Sequence, residues 1–199
     1  KGNGIVEVRG TDRIKVEYID AHAAGRQQDV KRTHEVQVVG TGLARITDGG
    51  YEQPLQAAVL GKAVHLEVTD ADRDTDDNPQ KIAAALKVMR KKTSDEIDEE
   101  LAKRVAAGEA AEDEEGVALR SKIDPSMVVG TKEISLTESD DAGVFRTSVL
   151  IGGDQGFPAE PGQWLRLVYL DEEHLGEGTR ECVAEARVIE GNLGDMRVS

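Results

Sequence analysis

The residues with the clearest capacity for chemistry form an acidic segment from Asp70 to Asn78, which reads D-A-D-R-D-T-D-D-N. Five of these nine residues are aspartates, and their carboxylates repel one another unless a positive charge lies among them. Their alternating spacing lets one turn direct several carboxylates at a single point, and calcium prefers oxygen ligands of this kind. The segment therefore predicts a calcium-binding loop, which we call the aspartate loop.

The aspartate loop does not have the spacing of an EF-hand. Asp70, Asp72 and Asp74 occupy the first, third and fifth ligand positions. The sixth position is Thr75 where glycine is needed, and the twelfth is Lys81 where glutamate is needed. We therefore expect a calcium loop without flanking helices, and the alternative is a solvated acidic turn. The expected ligands within the loop are Asp70, Asp72, Asp74, Asp76 and Asn78.

Three carboxylates outside the loop are candidate ligands as well. Asp20 and Asp171 end predicted strands at equivalent points, and either could join an ion between modules. A calcium ion between Asp20 and Asp70 would stiffen the joint between two modules. Glu138 lies beside the turn Asp141-Ala142-Gly143. Its carboxylate is either a calcium ligand or an acceptor for the backbone N–H groups of that turn, and we favour the second role.

The sequence carries none of the common catalytic motifs, such as G-x-S-x-G, H-E-x-x-H, a P-loop or a dinucleotide fingerprint. The four histidines have no partner at zinc-ligand spacing, and the single cysteine, Cys182, is expected to be a buried apolar side chain. We therefore predict a protein that is not an enzyme. The catalytic alternative is a hydrolase whose acid and base come from Glu138 and the aspartate loop.

Composition excludes several classes of partner. The 199 residues include 25 Lys and Arg against 39 Asp and Glu, for a net charge of −14, which repels nucleic acid and anionic membrane surfaces. No apolar run approaches the ~20 residues that a membrane-spanning helix needs, so direct membrane insertion is not expected. Only 3% of the residues are aromatic, while glycine is frequent, and this favours an all-β protein of short strands and turns.

Alternating apolar residues predict strands along most of the chain. The helix prediction covers Thr93 to Ala107, with Thr93 as N-cap, Glu96 completing a capping box, and a narrow apolar stripe that indicates light packing on the surface. The predicted strands are Gly4 to Asp20, His34 to Val39, Leu43 to Ile46, Gln56 to Leu60, Ala63 to Val68, Ile82 to Met89, Val117 to Ile123, Lys132 to Leu136, Val144 to Ile151, Trp164 to Leu170, Cys182 to Ile189 and Met196 to Val198.

The large aromatic side chains alternate with polar residues along these strands. Phe145, Trp164, Tyr169 and Tyr18 are therefore expected in the core. A platform that stacks against carbohydrate is the alternative for them.

The two ends of the chain share one spacing pattern. Asp20 and Gly25 align with Asp171 and Gly176 at the same offset. The aligned apolar residues are Ile14 with Leu165, Val16 with Leu167, Tyr18 with Tyr169, Ile19 with Leu170 and, after a one-residue adjustment, Val38-Val39 with Val188-Ile189 and Leu43 with Leu193. A repeat at this interval indicates tandem modules, with residues 1–41 as the C-terminal strands of a first module and residues 42–199 as a second module. Chance similarity between alternating strands is the alternative.

Three motifs carry a family resemblance. They are V-x-D-x-D ending at Asp72, L-T-E-x-x-x-x-G-V-F from Leu136 to Phe145, and Y-x-D from Tyr169 to Asp171. Together they resemble the immunoglobulin-like repeats of large bacterial cell-surface and surface-layer proteins, over most of residues 60–199. The chain departs from that pattern at residues 90–118, where the predicted helix would be an insertion.

The resemblance implies immunoglobulin-like β-sandwich modules in tandem, with calcium held by acidic loops near module ends. It also implies a structural role in an extracellular or cell-surface protein of the surface-layer or adhesin-like kind. The expected partners are neighbouring modules of the same chain and, through self-assembly, identical chains. The alternative function is an ancillary polysaccharide-binding module of a secreted enzyme.

Overall fold

A computed structural model describes residues 8, 12–22, 24, 28–76, 78–110 and 118–191. It contains ten β-strands, one α-helix and two short 3-10 turns within these ranges. The strands are β1 Arg13–Asp20, β2 Val30–Gln37, β3 Leu43–Thr47, β4 Ala57–Val59, β5 Ala63–Thr69, β6 Lys81–Lys91, β7 Ser126–Glu138, β8 Val144–Leu150, β9 Trp164–Asp171 and β10 Arg180–Ile189, and the helix is α1 Ser94–Ala106.

Strands β1 and β2 form a separate two-stranded antiparallel sheet, the N-terminal hairpin. Arg13 pairs with Gln37 at one end of this hairpin, and Asp20 pairs with Val30 at the other. The alternation that predicts β1 places Ile14, Val16 and Tyr18 on one face of the hairpin. A linker of residues 38–42 then leads into the larger sheet.

The other eight strands form one sheet in the order β3-β5-β8-β7-β6-β9-β10-β4. Neighbours run antiparallel except β10 and β4, which are parallel. The long strand β7 pairs with β6 along its length but with β8 only at Thr137 and Glu138. The sheet curls at this point, so that its edge strand β3 packs against β9 and β10.

The curled sheet encloses one hydrophobic core. The inward residues of β5, β6 and β9 alternate with outward ones, which is why Leu66, Leu86, Leu165 and Leu167 are all 0% exposed. Phe145 and Tyr169 lie in this core as predicted, and Cys182 is also buried. Trp164 is only half-buried and is not part of the core cluster. Tyr18 is 59% exposed, because no second layer covers its face of the hairpin in the part of the chain that the structure describes.

One carboxylate is buried on the opposite face of β5. Glu67 is 1% exposed and accepts hydrogen bonds from Arg45 of β3 and Arg146 of β8, which pair with its two carboxylate oxygens. Arg146 also lies over the ring of Tyr51, 4.7 Å from its centroid. These contacts join the three strands β3, β5 and β8 on the side away from the core.

Helix α1 forms as predicted, with both hydrogen bonds of the Thr93–Glu96 capping box. It buries no residue, which confirms its position on the surface, and Arg90 and Lys92 of the preceding segment pair with Glu96 and Glu100. The pKa of Glu96 falls to about 2 because Arg90 and the backbone of Thr93 donate hydrogen bonds to the carboxylate.

The strand predicted for Val117 to Ile123 is wrong over the residues that the structure describes. Leu119–Lys122 is instead a 3-10 turn, and Leu119 and Ile123 at its two ends are both buried, each 4% exposed. The predicted strand for Ile82 to Met89 is confirmed as part of β6. The predicted strand Met196 to Val198 and most of residues 4–11 lie outside the described ranges.

Candidate functional site

The first half of the aspartate loop turns inward at the end of β5. Asp70 is the N-cap of a 3-10 turn at Ala71–Arg73, and its Oδ1 accepts a hydrogen bond of 3.0 Å from the backbone N–H of Asp72. Both aspartates are 2% exposed. A capping aspartate satisfies backbone donors that the short turn leaves free, so the D-x-D pattern here is a local folding signal.

Asp72 binds the linker between the N-terminal hairpin and the sheet domain. The backbone N–H of Gly40 donates to both carboxylate oxygens of Asp72, at 3.0 Å and 2.8 Å. Burial raises the pKa of Asp72, and the nearby charges of Asp70, Asp171 and Glu173 raise it further, whereas the Gly40 hydrogen bond lowers it. The Gly40 amide is therefore the contact that supports a negative charge at Asp72.

Asp171 binds the same linker two residues later. Its Oδ2 accepts a 2.7 Å hydrogen bond from the backbone N–H of Gly42, and its Oδ1 accepts one of 3.1 Å from the backbone N–H of Glu173. Asp171 is 1% exposed. Cys182 donates its thiol hydrogen to the carbonyl oxygen of Gly42, with a sulfur–oxygen distance of 3.0 Å, and burial raises the pKa of this thiol.

Gly42 has little room around it. A Cβ at this position would lie 3.1 Å from the ring of Tyr169, 3.3 Å from Asp171 Oδ2 and 3.3 Å from Cys182 Sγ. Glycine therefore allows the linker backbone to approach β9 and β10 closely enough for both of its hydrogen bonds.

Tyr169 connects the two carboxylate positions. Its hydroxyl donates to Asp70 Oδ2 and accepts from Nε of Arg73 at 3.3 Å. Burial and the Asp70 carboxylate raise the pKa of Tyr169 well above its usual range. The hydroxyl therefore stays protonated and remains a donor to Asp70 at neutral pH.

The turn at Asp141-Ala142-Gly143 packs on the outer side of the loop. Asp70 N–H donates to the carbonyl of Gly143 at 2.8 Å, and Gly143 has φ of 69°. A Cβ there would lie 2.9 Å from Ala71 Cα, so only glycine fits between the two turns. Glu138 accepts from the N–H groups of Gly143 at 2.9 Å and Gln80 at 3.1 Å, which confirms its predicted role as an acceptor for this turn.

The second half of the aspartate loop points away from the linker. Asp76 is exposed and accepts hydrogen bonds from the backbone and side-chain amide of Asn78, at 2.7 Å and 3.2 Å, which lower the pKa of Asp76. Asp74 ends the 3-10 turn, with its backbone N–H directed at Ala71. The loop therefore divides into a buried pair, Asp70 and Asp72, and an outer group formed by Asp74, Asp76 and Asn78.

Asp20 lies at the far end of the N-terminal hairpin. It accepts from the backbone of His22 at 3.3 Å and approaches Arg32 at 3.9 Å. The linker begins after Gln37, at the end of β2. Asp20 pairs with Val30, which lies seven residues before Gln37, or about 23 Å from it along the strand. The structure thus places Asp171, which aligns with Asp20 in the sequence, at the linker, and it places Asp20 far from the linker.

The predicted calcium ligands do not converge. Within the described ranges no group of three or more His, Cys, Asp or Glu side chains is placed to hold a metal ion. The oxygens of Asp70 and Asp72 accept hydrogen bonds from a tyrosine hydroxyl and backbone amides, so this arrangement of the buried pair does not fit a calcium ion. Calcium binding stays a prediction of the sequence.

Gly40, Gly42 and the acceptor role of Asp171 were not predicted as parts of one site. The repeat alignment placed Asp171 at a strand end, but Gly40 and Gly42 carry no motif, because a backbone N–H is present in almost every residue type. Their proximity to the loop depends on how the sheet curls, which local patterns do not encode.

Comparison with known proteins gives no relative: no protein-family model matches the chain, and no curated protein matches it. Among the residues that the structure describes, no helix is both long enough and apolar enough to cross a membrane.

Proposed function

We propose that this chain is a non-enzymatic structural segment of a large extracellular or cell-surface protein, of the surface-layer or adhesin-like kind. The observation that carries the proposal is the joint: Asp72 and Asp171, both buried, bind the backbone N–H groups of Gly40 and Gly42. Gln37 at the end of the hairpin also donates to Glu173 at 3.3 Å. Contacts of this kind fix the orientation of one unit relative to the next, which a rigid chain of modules requires.

The strand pairing supports immunoglobulin-like modules. In an immunoglobulin sandwich, strands A, B and E share one sheet, while C, F and G, with C′ in variable-type domains, share the other. Strands β3, β5 and β8 have the A-B-E order, and β7, β6, β9 and β10 have the C′-C-F-G order. Helix α1 would then be an insertion between the C and C′ strands.

The N-terminal hairpin supports the repeat. Asp20 pairs with Val30 across nine intervening residues, and Asp171 pairs with Arg180 across eight. The one-residue adjustment that the sequence alignment needs therefore falls in the turn between the two strands. Strands β1 and β2 would be the closing strands of a first module, residues 1–41, and residues 42–199 the second.

A role in polysaccharide binding has less support than a structural role, because few aromatic side chains of the described residues are exposed. A glycan site presents a flat row of them, and in the described part of the chain Tyr18 is the one large aromatic that is mostly exposed. Neighbouring modules and identical chains are therefore the partners that we propose.

Backbone ¹⁵N relaxation of the full chain tests the proposed joint. If the carboxylates fix it, residues of β1 and β5 tumble with one correlation time, and Asp72→Ala together with Asp171→Ala gives the hairpin a shorter one. Asp76→Ala is the matched control, because Asp76 belongs to the same loop but is exposed and accepts hydrogen bonds from Asn78 of that loop. A hairpin that tumbles independently of the eight-stranded sheet in the unsubstituted chain would contradict the proposal.

A further inference from the structure

One edge of β1 is unpaired over the described residues, because β2 lies along its other edge. Val38 N–H donates to the carbonyl of Asp12, at 2.8 Å, and these two residues continue the hairpin register. In an antiparallel pair such bonds recur at every second residue. The backbone groups that face the open edge are therefore those of Arg13, Lys15, Glu17 and Ile19.

We propose that this edge pairs with β1 of a second copy of the chain, antiparallel and across a twofold axis at Val16. An open edge presents a row of donors and acceptors that another strand can satisfy. A lone two-stranded hairpin is marginally stable in water, and the pairing would make it a sheet of four strands. The proposal rests on the proposed structural function, and it names a contact for the assembly of identical chains.

Charge selects the register. Only registers that set the odd-numbered residues of β1 opposite one another satisfy the open backbone groups. An axis at Lys15 sets Arg13 opposite Glu17 twice but places two lysines face to face, and an axis at Glu17 places two glutamates face to face. An axis at Val16 instead sets Lys15 of each copy opposite Glu17 of the other, which gives two favourable pairs.

The same register also matches the apolar side chains. It sets Ile14 of each copy opposite Tyr18 of the other, with the two Val16 side chains adjacent on the axis. Val16 is 55% and Tyr18 59% exposed in the single chain, so both gain cover from the pairing. On the opposite face, Glu17 already pairs with Lys15 and Lys31 at 2.8 Å, and the second copy extends this row of charges.

Sedimentation equilibrium of the full chain tests the contact. The measurement needs about 150 mM salt, where the Debye length is ~8 Å, so that the net charge of −14 does not keep the copies apart. We expect a weak dimer, since an edge of eight residues buries less than a standard interface. Lys15→Glu should raise the dissociation constant about 10-fold or more, because it sets like charges opposite one another twice.

The double variant Lys15→Glu with Glu17→Lys restores opposite charges and should return the dissociation constant to within about 3-fold of the original. Lys31→Glu is the matched control: it also removes a partner of Glu17, but it lies on β2, away from the open edge, and should leave the dimer intact. If the double variant dimerises again, Lys15→Glu weakens the dimer through the contact between copies and not by unfolding the hairpin.

Three results would overturn the proposal. The first is a chain that stays monomeric at all concentrations, as expected if a strand of another module occupies the edge. The second is a dimer that is insensitive to Lys15→Glu, and the third is a double variant that remains monomeric. Run at concentrations where the chain is monomeric, the relaxation experiment on the joint does not depend on association, so either proposal can fail alone.

Discussion

The two hairpins β1–β2 and β9–β10 share a spacing of apolar residues but differ in burial. Leu167 and Tyr169 of β9 are 0% and 3% exposed, whereas their counterparts Val16 and Tyr18 of β1 are 55% and 59% exposed. The difference lies in the neighbours: β9 lies between β6 and β10 under β3, and β1 pairs with β2. An alternating pattern thus specifies which face is apolar, while the surrounding strands decide whether that face is covered.

The strand ends differ in the same way. Asp20 and Asp171 end strands that the sequence aligns. Among the described residues Asp20 reaches only its own turn and Arg32, whereas Asp171 binds the linker at Gly42. An aspartate at this position holds another segment when the backbone of that segment passes within hydrogen-bond distance. We call the pair Asp72 and Asp171, which hold the linker in this way, the clamp. Paired substitutions in the two hairpins can therefore separate the effect of the shared sequence spacing from the effect of the tertiary surroundings.

The largest contrast is expected from truncating the matched aliphatic residues. Leu167→Ala should lower the free energy of unfolding by about 2–5 kcal/mol, because it opens a cavity in the core. Val16→Ala should change it by no more than about 0.5 kcal/mol, as for other exposed positions. Chemical denaturation followed by the fluorescence of the single tryptophan, Trp164 in β9, measures both. Equal losses would show that β1 is buried in solution.

The matched aspartates should give the next largest difference. Asp171→Ala should cost about 1.5–3 kcal/mol, because it removes a charged acceptor and leaves the buried N–H of Gly42 without a partner. Asp20→Ala removes a hydrogen bond to the exposed backbone of His22 and should have a smaller effect. The same denaturation assay applies, and a larger loss for Asp20→Ala would contradict the assignment of the clamp to Asp171.

Asp72 should give the chain a specific pH dependence. Burial raises its pKa in the folded state, so the folded chain binds a proton more readily than the unfolded chain at this residue. Relative to the Asp72→Asn variant, the unsubstituted chain should therefore gain stability as pH falls from 7 towards about 4, the ordinary range of aspartate. Urea denaturation of both chains along this pH range measures the difference. A relative loss of stability on acidification would show that Asp72 has a depressed pKa instead.

Calcium should have the smallest effect if the buried aspartates act by hydrogen bonding. Their oxygens already accept from Gly40, the backbone of Asp72 and Tyr169, so calcium in place of chelator should move the unfolding midpoint by less than about 2 °C. Differential scanning calorimetry makes the comparison. A larger upward shift would support the calcium loop that the sequence predicts.

The sequence predicts local structure well where a single periodicity dominates. The capping box of α1, the alternation of β5 and β9, and the turn-binding role of Glu138 all depend on residues within a few positions of one another, and all are present. The error at Leu119–Lys122 arises because Leu119 and Ile123 lie four positions apart, a spacing that fits both a strand and a helical turn.

The site itself was only partly predictable. The aspartate loop was identified, because five aspartates within nine residues are conspicuous, but its hydrogen-bond partners were not. Gly40 and Gly42 contribute backbone N–H groups and lie 32 and 129 residues from Asp72 and Asp171, respectively. A local sequence pattern indicates neither which backbone N–H will donate nor how close it will lie in space. The hydrogen bonds of Asp72 and Asp171 to the linker are therefore visible only in the fold.

Amide hydrogen exchange at residues 40–42 tests the clamp most directly. The Gly40 and Gly42 N–H groups bind Asp72 and Asp171, while Thr41 between them is exposed and serves as an internal control. The account predicts that Gly40 and Gly42 exchange about 10-fold or more slowly than Thr41, and that Asp72→Ala removes the protection of Gly40 while Asp76→Ala does not. Equal, unprotected exchange at all three residues would contradict it.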